Sequence, residues 1–351
     1  MESGKKMSLR EKIGQLFIVR PESLEPAIRY DSDAELPPYK LQAVSDGMRR
    51  RAAEYPVGGV LLYGHNIADP AQLKRFVRDL KALPGAPLLC IDEEGGRVSR
   101  LANNPAFDVP RYESAAAMAA AGPEATYEAA RAIGDYLKHY GFDIDFAPVA
   151  DVNTNPENVI IGTRAFTDDP QQAAPLVAAY VRGLQESGVT ACLKHFPGHG
   201  DTLADTHLGY AFTQKTWQQM DACEMITFRE GIRAGARLVM AAHIAAPAVT
   251  GTDLPSTLSP VILTEKLRGE LGFNGVVITD ALEMGAITRQ YGSGEAAVRA
   301  LQAGADLLLC PLDLCAAFDA VVDAVQKGML PETRLDESIR RILRLRQRIG
   351  K

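Results

Sequence analysis

The chain has 351 residues, with 38 lysines and arginines against 44 aspartates and glutamates, a formal balance of −6. With 46% hydrophobic and 23% charged residues the composition is that of a globular protein, which excludes disordered, collagen-like and coiled-coil chains. The basic runs are short, Arg49-Arg50-Arg51 and the stretch Arg340 to Arg348, so no nucleic acid partner is expected.

Short Val/Ile/Leu-rich runs recur along the chain, each followed by a longer stretch with apolar residues at helical spacing. The strands are predicted at Ile13–Val19, Val57–Leu62, Pro87–Asp92, Phe142–Val149, Val189–His195, Arg237–His243, Gly275–Asp280 and Ala305–Cys310. Most are continuous apolar runs of the kind buried on both faces of a parallel sheet. Between them, Leu73, Phe76, Val77 and Leu80 define one apolar helical face, as do Ile133, Tyr136, Leu137 and Tyr140, and then Val177, Tyr180, Val181 and Leu184. Phe318, Val321, Val322 and Val325 repeat the spacing, and Leu335–Ile349 reads as a final helix. No linker or compositional break divides the chain. The expectation is therefore α/β: one (β/α)8 TIM-like barrel domain over residues 1–351. An open doubly wound sheet is the alternative, but neither G-x-G-x-x-G after the first strand nor a G-x-x-x-x-G-K-[ST] loop is present to support it.

The five cysteines are odd in number, and Cys90, Cys192 and Cys310 sit in apolar strand runs, so no disulfide framework is expected. The first residues hold only a short apolar run with no cleavage pattern, and no stretch reaches membrane-spanning length. A cytoplasmic location without membrane association is the expectation.

A barrel carries its chemistry on the loops at the C-terminal strand ends. Ionisable residues gather there: Asp92-Glu93-Glu94 with Gly95-Gly96-Arg97 after the third strand, Asp151 after the fourth, Lys194-His195 at the fifth, His243 at the sixth and Asp280 at the seventh. Asp280 alone could be a helix cap, but the repetition across strands favours a site. The segment Lys194–His207 holds three of the six histidines together with Pro197, Gly198 and Gly200, and reads as a long functional loop. Within it Asp205 and His207 lie two apart, so in an extended segment the carboxylate can fix the imidazole tautomer.

His195, His199, His207, His243 and Asp280 could also supply metal ligands, but the first strand lacks paired histidines and no H-E-x-x-H or C-x-x-C occurs, so no metal or other cofactor is expected. A strand-end carboxylate facing a proton-transferring loop residue is the pair that retaining glycoside hydrolysis needs, with His207 able to replace the usual second carboxylic acid. Asp92, Lys194 and Arg164 would then hydrogen-bond sugar hydroxyls.

These motifs resemble those of the single-domain β-N-acetylglucosaminidases (β-N-acetylhexosaminidases) of glycoside hydrolase family 3. The resemblance covers nearly the whole chain and rests on Ile91–Val98 with Arg100, on Ile161–Phe166, on Lys194–Thr202, on Asp205-Thr206-His207 and on Val277–Met284. It implies that Asp280 is a nucleophile forming a covalent glycosyl-enzyme, that His207 is the acid/base oriented by Asp205, and that Asp92, Arg100, Arg164, Lys194 and His195 bind a terminal N-acetylglucosamine. It also implies a carbohydrate substrate from cell-wall turnover, such as muropeptides. Phosphorolysis at the same site is the alternative, since a histidine beside the nucleophile does not repel an anionic acceptor. A non-catalytic sugar-binding barrel is disfavoured because both Asp280 and the Asp205–His207 pair are present. Residues 22–40, acidic and Pro-containing, match the pattern less well and are given no function.

Overall fold

The computed structural model describes residues 7–28, 40–204 and 211–349. In chain order its strands are β1 (Phe17–Val19), β2 (Gly59–Leu61), β3 (Leu88–Ile91), β4 (Ile144–Asp145), β5 (Thr190–Phe196), β6 (Leu203–Ala204), β7 (Ala211–Phe212), β8 (Leu238–Ala241), β9 (Ile244–Ala245), β10 (Val276–Thr279) and β11 (Leu308–Leu309). Eight of them form one parallel sheet in the order β10-β8-β5-β4-β3-β2-β1-β11, and the bridge Ile278↔Leu307 joins its two ends. The result is the expected TIM-like barrel, with one barrel strand in each expected run and β5 reaching one residue beyond its run, to Phe196. A second sheet, β6-β7-β9, lies beyond the C-terminal end of β5.

The expected first strand run starts inside a helix, Leu9–Gly14, and the ladder is confined to Phe17–Val19. The cause is local: Ser8 caps the backbone of Glu11 while Glu11 caps Ser8 in return, a reciprocal pair that nucleates a turn before the apolar run can extend. The outer helices follow their sequence signals. Asp69 caps Pro70–Lys81, Asp169 caps Pro170–Glu186, and Gly141 at φ +88 ends Gly122–Tyr140, a left-handed stop that glycine adopts without a Cβ penalty. Leu73, Phe76, Leu80, Ile133, Leu137, Tyr180, Val181 and Leu184 are all buried against the barrel.

β4 and β11 contribute only two ladder residues each, and a buried aspartate precedes both. Asp143 accepts the N–H of Leu89 in the neighbouring strand at 2.9 Å, with Lys81 at 2.9 Å on its other oxygen. Asp306 does the same for Val277 of β10 at 3.0 Å and also receives Arg268, Ser338 and Arg341 at 2.5, 2.7 and 3.0 Å. Side-chain acceptors thus supplement a short ladder at the N-terminal end of the barrel, the end that serves stability. Cys90, Cys192 and Cys310 are buried free thiols, as expected. Among the described residues no helix is long and apolar enough to cross a membrane.

Candidate active site

Alternation along an extended chain puts Asp92 and Glu94 on one side of the segment after β3 and Glu93 on the other. Glu93 is fully buried away from the barrel mouth, accepting the N–H groups of Arg100, Leu101 and Ala102 at 2.6, 3.0 and 2.8 Å and the Tyr136 hydroxyl at 2.9 Å. It shapes the turn that carries Arg100. Asp92 and Glu94 both reach Lys194 of β5, whose Nζ lies 2.9 Å from Asp92 and 2.6 Å from Glu94. Arg100 approaches Asp92 at 3.3 Å, and Arg164 grips Glu94 with two bonds of 2.8 and 2.7 Å.

These charges set one another's protonation. Burial alone would push the Asp92 acid upward, but the Lys194 and Arg100 cations outweigh it and hold the acid at about 2. Against the same burial, Lys194 and Arg164 hold Glu94 below its ordinary value. Burial works against the Lys194 cation, yet its two carboxylates keep it charged well beyond neutral pH. An ammonium group has three N–H donors, and two are committed here, so one remains for a ligand oxygen.

His195 continues the network. Its Nδ1 lies 2.7 Å from Asp151, which also accepts the backbone N–H groups of His195 at 3.1 Å and His199 at 2.6 Å. Burial opposes the Asp151 charge, but His195 and these donors keep the acid below its ordinary range. A carboxylate only accepts, so Nδ1 of His195 carries a proton and Nε2 is turned toward Arg164 NH2, 3.5 Å away. Five sequence-nominated residues, Asp92, Arg100, Arg164, Lys194 and His195, therefore form one connected cluster. Glu94 and Asp151 are the residues that sequence reasoning did not assign, though the i, i+2 relation of Asp92 and Glu94 was available to find the first.

Asp280 follows the last ladder residue of β10, at the same end of the barrel. Its backbone N–H donates to Ala241 at 2.8 Å, and its Oδ1 accepts the N–H of Ala281 at 2.7 Å. It does not cap the next helix, Gly285–Thr288, which begins after Met284. Beside it, buried His243 places Nε2 2.9 Å from the Ala281 carbonyl and Nδ1 2.8 Å from Thr257 Oγ1. Burial lowers its basicity against the pull of Asp280, so it is a neutral structural group with both ring nitrogens engaged. Among the described residues no group of three or more His, Cys, Asp or Glu side chains could hold a metal ion. Asp205 and His207 lie outside the described residues, in the stretch between β6 and β7. Glu22, placed by the sequence in a stretch without function, is buried and bonded to His65 and Asn66 at 3.0 and 2.8 Å. Residues 29–39 of that stretch also lie outside the described residues.

The family model described as glycosyl hydrolase family 3 N terminal domain matches residues 8–345. A beta-hexosaminidase of Stenotrophomonas maltophilia is 38% identical over 277 residues, 77% of this chain and 80% of that protein. The solved family 3 beta-N-acetylglucosaminidase of Paenibacillus sp. superposes with a TM-score of 0.87 at 39% identity, covering 98% of this chain and 63% of that one. The beta-N-acetylhexosaminidase of Beutenbergia cavernae superposes at 0.81 with 26% identity, covering 97% and 98%. Barrel and site together define a TIM-like domain with a buried charged cluster at the C-terminal ends of its strands. The chain belongs to glycosyl hydrolase family 3. It spans less than two thirds of the Paenibacillus protein and nearly all of the Beutenbergia one.

Proposed function

We propose that this chain is a retaining exo-β-N-acetylglucosaminidase acting as a single catalytic barrel. The observation that carries the reading is the buried cluster of Asp92, Lys194, Glu94, Arg164 and His195 at the same barrel end as Asp280. Such fixed charges are suited to grip the hydroxyls of one terminal sugar ring, and the likeness to the Paenibacillus beta-N-acetylglucosaminidase supports N-acetylglucosamine as that sugar. Asp280 attacks the anomeric carbon as the bond to the leaving oxygen breaks, and His207, oriented by Asp205, gives that oxygen its proton. The neutral imidazole then takes a proton from water, whose oxygen displaces Asp280 and releases the sugar with retained configuration. Glu94 holds Lys194 and Arg164 in place, and Asp151 fixes the His195 tautomer, so that the ligand groups need no rearrangement on binding. The substrates we propose are β-linked N-acetylglucosaminides from peptidoglycan fragments, processed inside the cell.

The test is turnover of 4-nitrophenyl N-acetyl-β-glucosaminide with and without phosphate, the sugar product being identified by mass. Free N-acetylglucosamine in both conditions is expected. A sugar 1-phosphate would replace hydrolysis by phosphorolysis, and no product would overturn the reading. Asp280→Ala should abolish turnover, and near-normal activity would remove the nucleophile assignment. His207→Ala should lose less on good leaving groups than on poor ones, since the former need little protonation, and equal losses would count against the acid role.

A further inference from the structure

Three residues beyond Asp280, Glu283 pairs with Arg20, from the end of β1, in an ion pair shielded from water: Arg20 is 4% and Glu283 7% exposed. The Arg20 guanidinium lies over the Tyr63 ring at 4.9 Å, and the Arg100 guanidinium lies over the same ring at 5.7 Å. Arg100 in turn contacts Asp92. The segment bearing Asp280 is thus tied through Arg20 and Tyr63 to the residues proposed to hold the sugar.

We propose that the Arg20–Glu283 pair is a positioning element for Asp280, fixing the direction of its carboxylate toward a sugar held by Asp92 and Arg100. The proposal rests on the reading of Asp280 as nucleophile. The turn from Asp280 to Met284 is held by three elements: His243 bonds the Ala281 carbonyl, the Leu309 carbonyl accepts the Leu282 N–H at 2.9 Å, and Arg20 takes the Glu283 side chain. Among the described residues the Asp280 carboxylate has one hydrogen bond, to the N–H of the next residue, so its direction follows that turn.

Two features argue against simple stabilisation. Burying an ion pair removes both charges from water, and an apolar pair of similar volume would hold a turn at lower cost. Moreover, among the described residues the second oxygen of Glu283 and that of nearby Glu22 are buried with no hydrogen-bond partner, an expense that calls for an explanation, a role in the site being one. The charged and titratable groups facing Glu283 are Arg20 and Glu22 beyond β1, Tyr63 beyond β2 and Cys310 beyond β11. Burial lifts the Glu283 acid, assisted by Glu22 and opposed by Arg20, to about 7. The ionised form is the one that holds Arg20, so the hold weakens as the pH falls through neutrality.

The experiment is kinetics of Glu283→Gln and Arg20→Lys on the aryl N-acetyl-β-glucosaminide across pH 5–9, with thermal unfolding of each variant. For Glu283→Gln we expect kcat to fall about tenfold or more with KM changed little, because a small misdirection of a reacting group is costly in rate. The fall of wild-type activity on the acid side of neutrality should be absent in this variant. Arg20→Lys, which keeps the charge, should retain more of kcat than Glu283→Gln and keep the acid-side fall, and it serves in its own right if the Gln variant does not fold. Wild-type kcat and pH profile with only a lowered Tm would reduce the pair to a structural one and overturn the proposal. If Asp280→Ala stays active, the nucleophile reading fails instead, which separates the two failures.

Discussion

Replacing Lys194 with Met removes a cation from between two buried carboxylates while keeping a side chain of similar length. Asp92 is held at about 2 against its ordinary 3.8, a gap that corresponds to about 2.5 kcal/mol of preference for the charged form, shared between Lys194 and Arg100. Glu94 loses its Nζ partner at 2.6 Å as well but keeps the Arg164 fork. Breaking a buried pair from one side costs about 3–5 kcal/mol because the remaining charge stays dry, and two residual cations place the expected loss at the lower end of that range. The pH dependence has a definite sign. An acid held below its ordinary value contributes stability that is present above pH 3.8 and is lost as the pH falls toward 2. Without Lys194 that window shifts upward, so the variant should begin to lose stability at a higher pH than the wild type. Urea unfolding at pH 7 and acid unfolding followed by circular dichroism measure both. A loss under about 1 kcal/mol, or an unchanged acid midpoint, would refute the argument that Lys194 neutralises this cluster.

Asp151→Asn turns an acceptor-only group into one that presents N–H to the Nδ1 of His195 or the amide of His199, so kcat/KM should fall by about tenfold or more, roughly 1.4 kcal/mol. Unchanged kinetics would separate His195 from the site. Gly200→Ala would put a Cβ 1.9 Å from the Val152 carbonyl, forcing the segment that leads toward Asp205 and His207 away from the Val152–Asn153 backbone beyond β4. A lowered Tm with reduced turnover is expected, and wild-type values for both would contradict the packing. Tyr136→Phe removes the 2.9 Å hydroxyl donor to buried Glu93 and should cost about 1–3 kcal/mol in urea unfolding, with no loss meaning that the three backbone donors suffice.

The barrel is legible in the sequence because strands buried on both faces must be continuous apolar runs, and the helices between them carry one apolar stripe each. What the pattern hides is how much of each run makes a ladder. Phe142–Val149 reads as one long run, apolar but for Asp143 and Asp145, yet only Ile144 and Asp145 pair on both sides, with Pro148 lacking an N–H to donate. The strand-end residues Asp92, Lys194, His195 and Asp280 stand out because charge there breaks an apolar pattern. Their partners do not, since ion pairs form across large separations: Arg164 meets Glu94 over 70 residues, and Arg20 meets Glu283 over 263. Spacing along a chain carries no information about such contacts. The Asp205–His207 pair is legible as a motif and lies outside the described residues.

The aspartates that precede the two shortest strands of the barrel have a consequence for how it breathes. Asp143 and Asp306 fasten β4 and β11 to their neighbours at the base, and toward the mouth Asp145 accepts the N–H of Glu93 at 2.8 Å while Thr279 Oγ1 accepts that of Leu309 at 2.9 Å. Amide hydrogens of Leu89, Glu93, Val277 and Leu309 should therefore be among the slowest to exchange along these staves, and faster exchange at Glu93 and Leu309 than at Leu89 and Val277 would show that the mouth opens first. A cylinder whose shortest staves are pinned at both rims resists opening from either end.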